Sequence, residues 1–191
     1  MSTHTMDATT RSDRFPPRAR EAMSSAERDA HDEIVGTRGM LPGPASLMLH
    51  APDAARAYDA WSRALWVGAL PANVGELVFL YLARVHRCRY QWINHAGKAR
   101  KAGIDEDLIG ALGRGDAPSE GMAPDLLEAW NFVNELHTRH AVSDETFNAI
   151  AVRFGTRGAA ELAAFCGLAA SVALILNVRQ APLPETGSAP F

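Results

Sequence analysis

The stretch ELVFLYLARVHRCRYQWINH, residues 76–95, decides the fold. It is nearly all apolar for ten residues, carries an acid at its first position, breaks into the polar run HRCR, and closes on a histidine. Read as one straight helix, it would part Glu76 from His95 by roughly 28 Å at about 1.5 Å per residue, too far to share a site within one chain. Read as two helices broken at His86–Arg89, it forms an antiparallel hairpin. Glu76 and His95 then return to the same level, and Cys88 stands at the N-terminus of the second helix. Free N–H groups and the helix dipole favour a thiolate there, so a lowered Cys88 pKa is expected. His95 follows Cys88 by two turns on one face. Each residue also has a structural reading. Glu76 follows Asn73 by three, as in a capping box. A free cysteine is usually a small buried hydrophobe, and Tyr90 and Trp92 are by default packing residues.

Working outward, the chain reads as helix after helix. A helix is expected from the prolines at 16–17 to Gly36, then a Gly/Pro loop over 36–44. Asp53 stands where the N-cap of the next helix belongs, and Ala55, Tyr58, Trp61, Leu65 and Trp66 form a helical stripe. A helix ending near Gly103 follows the hairpin turn, then a short helix and a helix with Leu126, Trp130, Val133 and His137 on one face. Ser143 caps a further helix that Gly155 stops, and Thr156 opens the last one, through about Val178. No alternating strand pattern of useful length appears. The expectation is an all-α chain: a tail over 1–15, one helical domain over 16–184 and a C-terminal tail over 185–191.

Composition narrows the function classes. At 191 residues with 47% hydrophobic and 21% charged content, the chain suits one globular domain. A net charge of -3 offers no global basic field, so no nucleic-acid partner is expected. Two cysteines, Cys88 and Cys166, are too few for a disulfide scaffold and fit a reducing compartment, giving a cytoplasmic expectation. The polar first residues do not form a secretory signal. The apolar run 162–176 is shorter than the roughly 20 residues a bilayer needs, so no membrane partner is expected, and the last helix is read as a buried or interface helix. No zinc, phosphate-loop or nucleophile-elbow motif appears. His137 and His140, three apart, are a conceivable ligand pair without a supporting motif, so no metal is expected. His50, Trp61 and Trp66 are read as core residues that also offer a pocket lining.

Glu76, then Cys88, then YQW and His95, followed by HAGKARKAGIDEDLIGAL, resembles the carboxymuconolactone decarboxylase and alkylhydroperoxidase D-like superfamily. VSDETFNAIAVRFGTRGAAEL and ALILNVRQAPLP look like the C-terminal half of its decarboxylase-like branch, so the resemblance runs from about 51 to 184. It implies an all-helical fold assembled as dimers, trimers or hexamers. It also implies catalytic roles for Glu76 as relay acid, Cys88 and His95. Arg89, Tyr90, Gln91 and Trp92 are the expected substrate-binding residues. Gln91 departs from the pattern: it stands at the second cysteine of the peroxidase branch and at the glutamate of the YEW form. The dithiol cycle cannot run without that cysteine, and an amide cannot act as the acid or base that glutamate can.

Three functions follow as expectations. The first is a cofactor-free lyase-like enzyme on a small organic acid or lactone, with Glu76 and His95 moving protons and Arg89 or a nearby cation holding a carboxylate. The second is a single-cysteine, peroxiredoxin-like peroxidase using Cys88. The third is a non-catalytic oligomeric binding protein on the same fold.

Overall fold

The structure is a computed structural model describing residues 14–16, 18–118, 121–180 and 182–191. Among these, eight α-helices form, α1 Ser25–Arg38, α2 Gly43–Met48, α3 Pro52–Trp66, α4 Ala72–Val85, α5 Arg89–Lys101, α6 Glu106–Arg114, α7 Pro124–Arg139 and α8 Asp144–Arg179, with no strand. The all-α expectation holds.

The helix α4 is the axis. Residues 74–80 are buried without interruption, as in a helix covered on every side. α5, α6, α7 and α8 all pack on it. This explains its apolar sequence and why one acid inside it stands out.

The break after Val85 falls where the polar run predicts it. The Arg87 N–H bonds Arg84 O at 3.1 Å and the Cys88 N–H bonds Ala83 O at 2.8 Å, the two hydrogen bonds of a Schellman turn. Arg87 takes the left-handed conformation at φ 51°, a place where glycine is usual. Asn177 of α8 donates to His86 O at 2.9 Å and pins the turn to the last helix. Cys88 becomes the N-cap of α5, and its carbonyl accepts the Trp92 N–H at 3.1 Å.

Several boundaries differ from the sequence reading. α1 starts at a Ser24–Glu27 capping box rather than at the prolines, of which Pro17 lies outside the described residues, and it ends at left-handed Gly39. The expected 36–44 loop is shortened from both sides: α1 runs through Arg38, and α2 opens at Gly43. A buried Arg179 from the end of α8 holds α2, donating to Gly43 O at 3.1 Å and Ser46 Oγ at 2.6 Å. Ala51, not Asp53, is the N-cap of α3; Asp53 sits in the first turn and pairs with Arg56. Most of the expected N-terminal tail lies outside the described residues, but Arg14 N–H bonds Arg179 O at 3.0 Å and Phe15 meets the His50 ring edge-on at 5.3 Å. The C-terminal tail is also docked: Phe191 packs edge-on against Trp92 with centroids 5.4 Å apart, under the Arg84 guanidinium.

α8 is long and apolar enough to cross a membrane by length and composition, yet half of its most apolar window is buried against the other helices. Gly155 interrupts it at φ 74°, ψ 170°, a region only glycine enters readily. The sequence reading of two helices meeting at this glycine is therefore correct in backbone terms. Gly155→Ala is expected to destabilise by about 1–3 kcal/mol from backbone strain alone, since a Cβ there meets nothing. Gly36→Ala, inside α1 and equally open, should instead stabilise by about 0.5–1 kcal/mol. Urea unfolding of both variants checks the pair of opposite signs.

Candidate active site

The hairpin brings Glu76 in the first turns of α4 level with His95 in α5. Glu76 Oε2 and His95 Nδ1 lie 2.7 Å apart. Glu76 is 5% exposed and His95 9%. An ionised carboxylate only accepts, so the bond reads as Nδ1–H donating to Glu76, which leaves the Nε2 lone pair free. Nε2 has no hydrogen-bond partner among the described residues. The capping-box reading of Glu76 does not hold: Pro71 is the N-cap of α4, and Asn73 turns to Asp125 instead, at 3.0 Å.

Aromatic rings wall the pair. Phe79, one turn after Glu76, stacks on the imidazole with centroids 4.2 Å apart and planes at 14°. Trp66 at the end of α3 lies near-parallel to the imidazole at 6.5 Å. Phe165 of α8 meets Trp66 edge-on at 5.2 Å. Gly75 permits this closure, because a Cβ there would stand 2.9 Å from the Trp66 ring. Burial pushes the His95 pKa below its ordinary value, against the upward pull of Glu76, and the Lys98 charge adds to the lowering. Burial thus favours the neutral imidazole, with the Glu76 carboxyl group fixed behind it.

Gln91 lies one turn before His95 on α5 and is 1% exposed. Its Nε2 donates to Phe79 O at 2.9 Å, while its buried Oε1 has no partner. The amide therefore ties α5 to the residue whose ring covers His95.

Cys88 does not meet its expectation. It is 1% exposed, and burial raises its pKa above the ordinary thiol value. The backbone N–H groups of Gln91 and Tyr90 pull the other way and are outweighed. The helix-terminus effect is present, but desolvation of the sulfur is larger. Cys166 is buried in α8 with its pKa pushed up to about 12.

The remaining candidates scatter. Tyr90 packs beside Gly43 of α2, Trp92 beside Gly113 of α6 and Phe191, and Arg89 is exposed. Trp66 joins the site; Trp61 lines a groove between α3 and α8; His50 contacts Phe15. His137 packs on Tyr81 at 5.9 Å with a buried, unpartnered Nε2, and His140 is the exposed left-handed C-cap of α7. Among the described residues, no three His, Cys, Asp or Glu side chains group as a metal site would. Phe79 and Phe165 were missed. Phe79 was readable as the i+3 neighbour of Glu76; Phe165, 70 positions from His95, left no local signal.

Residues 52–135 match the model of the carboxymuconolactone decarboxylase family, a span that holds both members of the Glu76–His95 pair. With the helical fold around it, this match supports assigning the chain to the carboxymuconolactone decarboxylase-like superfamily. No curated protein matches the chain.

Thiol reactivity tests the burial directly. Both cysteines should label slowly in the folded protein at pH 7.5 and rapidly once it is unfolded in urea. Fast reaction of Cys88 in the native state, timed with a chromogenic disulfide, would contradict the raised pKa.

Proposed function

We propose that this chain is an enzyme that moves protons on a small organic acid or lactone, with Glu76 and His95 as the working pair. The observation that carries the reading is the buried 2.7 Å Glu76–His95 bond with Nε2 left open. Neutral His95 takes a proton at Nε2 from a carbon beside a substrate carbonyl, and the C–H electron pair moves into that carbonyl as an enolate. The new imidazolium is stabilised by the Glu76 carboxylate behind it and by its stacking on Phe79. The same Nε2–H then returns the proton. Where the substrate carries a carboxylate on that carbon, carbon dioxide leaves instead, the C–C pair enters the same sink, and a proton taken up from solvent at Nε2 is delivered to the carbon.

A second reading keeps Cys88 as a single-cysteine peroxidase, favoured by the two backbone N–H groups against its sulfur. There the thiolate attacks a peroxide oxygen, forms sulfenic acid, releases an alcohol, and is reduced by an external thiol. A screen of carboxylated lactones beside organic hydroperoxides separates the two. With the substrate that turns over, His95→Ala should lose about 100-fold or more in kcat, Glu76→Gln should be impaired, and Cys88→Ser should keep most activity. Loss in Cys88→Ser with a mild His95→Ala would decide for the thiol. Because the base must be neutral and its pKa is lowered, the acid limb of kcat/KM should fall below pH 6.5, the ordinary histidine value. An acid limb above it would contradict the burial of His95.

We also propose that the chain self-associates. Leu174 and Val178 of α8 are 53% and 52% exposed, and Trp61, which shares a groove with Leu174, is 39% exposed, an outward set of apolar side chains. Sedimentation across micromolar concentrations should show a closed oligomer; a monomer throughout would contradict it.

A further inference from the structure

We propose that Lys98 is the anion anchor of this site, holding the carboxylate of an anionic substrate over the open edge of His95. The inference rests on the reading of Glu76 and His95 as the proton-transferring pair and assigns the substrate contact that reading lacks.

Helix geometry selects Lys98. It follows His95 by three residues on α5, so it sits about 4.5 Å further along the axis and about 60° around it, on the same side. Long side chains on a helix lean toward its N-terminus and cover the preceding turn, here the turn of Asn94 and His95. Arg89, the cation favoured by the sequence, precedes His95 by six residues. It lies about 9 Å back along the axis and about 120° around, on another face.

Charge pairing points to the same residue. Arg100, two positions on, is held by both carboxylate oxygens of Glu106. Lys98 is exposed and joins no ion pair among the described residues. His95 feels two charges, Glu76 from α4 and Lys98 from its own helix; the rings stacked on it, Trp66 from α3 and Phe79 from α4, carry none, and Phe165 of α8 lies behind them. The lysine ammonium is thus available to an incoming carboxylate, and its position three residues after His95 sets it over the same side of α5. A surface ammonium gains little from an ordinary exposed partner. An anion seated between it and the aromatic wall is partly desolvated, and the charge-assisted bond is worth more there.

The test uses the full chain and a matched pair of probes, 5-oxotetrahydrofuran-2-carboxylate and its neutral methyl ester, with His95 imidazole resonances as the readout. In free protein, Lys98→Glu should raise the His95 pKa, while Lys101→Glu at the exposed end of α5 should leave it nearly unchanged. The carboxylate should bind wild type and lose about tenfold or more in Kd in Lys98→Met, with Lys101→Met like wild type. The ester should bind all three alike. Equal carboxylate affinity in wild type and Lys98→Met overturns the proposal, as does equal weakening of acid and ester, no carboxylate binding to wild type, or a loss carried by Arg89→Met instead. Turnover by His95→Ala is a separate arm: retained activity there sinks the proton-transfer reading while the Lys98 binding result stands on its own.

Discussion

A carboxylate buried in an apolar helix needs a partner, and this constraint organises the molecule. Moving an unpaired carboxylate out of water costs far more than a marginally stable domain can absorb. Glu76 lies within the seven consecutive buried residues of α4. Its partner must come from another element at the same depth, and His95 is nineteen residues away along the chain. Only a sharp reversal can bring it back. The Schellman turn at Arg84–Cys88 provides that reversal, and Arg87 accepts a left-handed backbone to make it. The strain at Arg87 and the bond at His95 are two ends of one hairpin.

The hairpin was legible because its signals are local. The apolar run and the polar interruption lie within twenty residues and point to a break at His86–Arg89; α4 ends at Val85 and α5 starts at Arg89. The pairing of Glu76 with His95 followed from it. What was not legible depends on partners far along the chain. Arg179 closes the α2 region from 136 residues away, so a Gly/Pro-rich segment that looks like loop is partly helix. Phe165 and Trp66 reach the site from α8 and α3. The docked Phe191 packs edge-on against Trp92, a contact from the far end of the chain that the local sequence around Trp92 does not reveal. Asn73 was misread for a related reason: its local spacing to Glu76 suits a cap, but Asp125 of α7 outcompetes that arrangement.

Cys88 illustrates why position on a helix does not fix reactivity. Two opposed effects act on one sulfur. The N-cap geometry supplies backbone N–H groups that favour the thiolate, and burial at 1% exposure disfavours it. The sequence reveals the first effect, since it depends on where the turn falls. It hides the second, since burial depends on what packs over the turn. Here burial is the larger.

Gln91 marks where the superfamily frame and this site part. In a thiol-based site that position holds a second sulfur, and in the YEW form a carboxyl group. Here an amide gives one hydrogen bond to Phe79 O and keeps its own oxygen unpartnered. An amide neither titrates nor is oxidised under ordinary conditions. Its contribution is geometric: it clamps α5 to the backbone of Phe79, and Phe79 in turn lies flat on His95. The buried oxygen without a donor weakens the local packing by the desolvation of one acceptor. A hydrophobic residue of similar volume would avoid that cost and lose the clamp. The position thus acts as a fixed support for the ring that covers the Glu76–His95 pair.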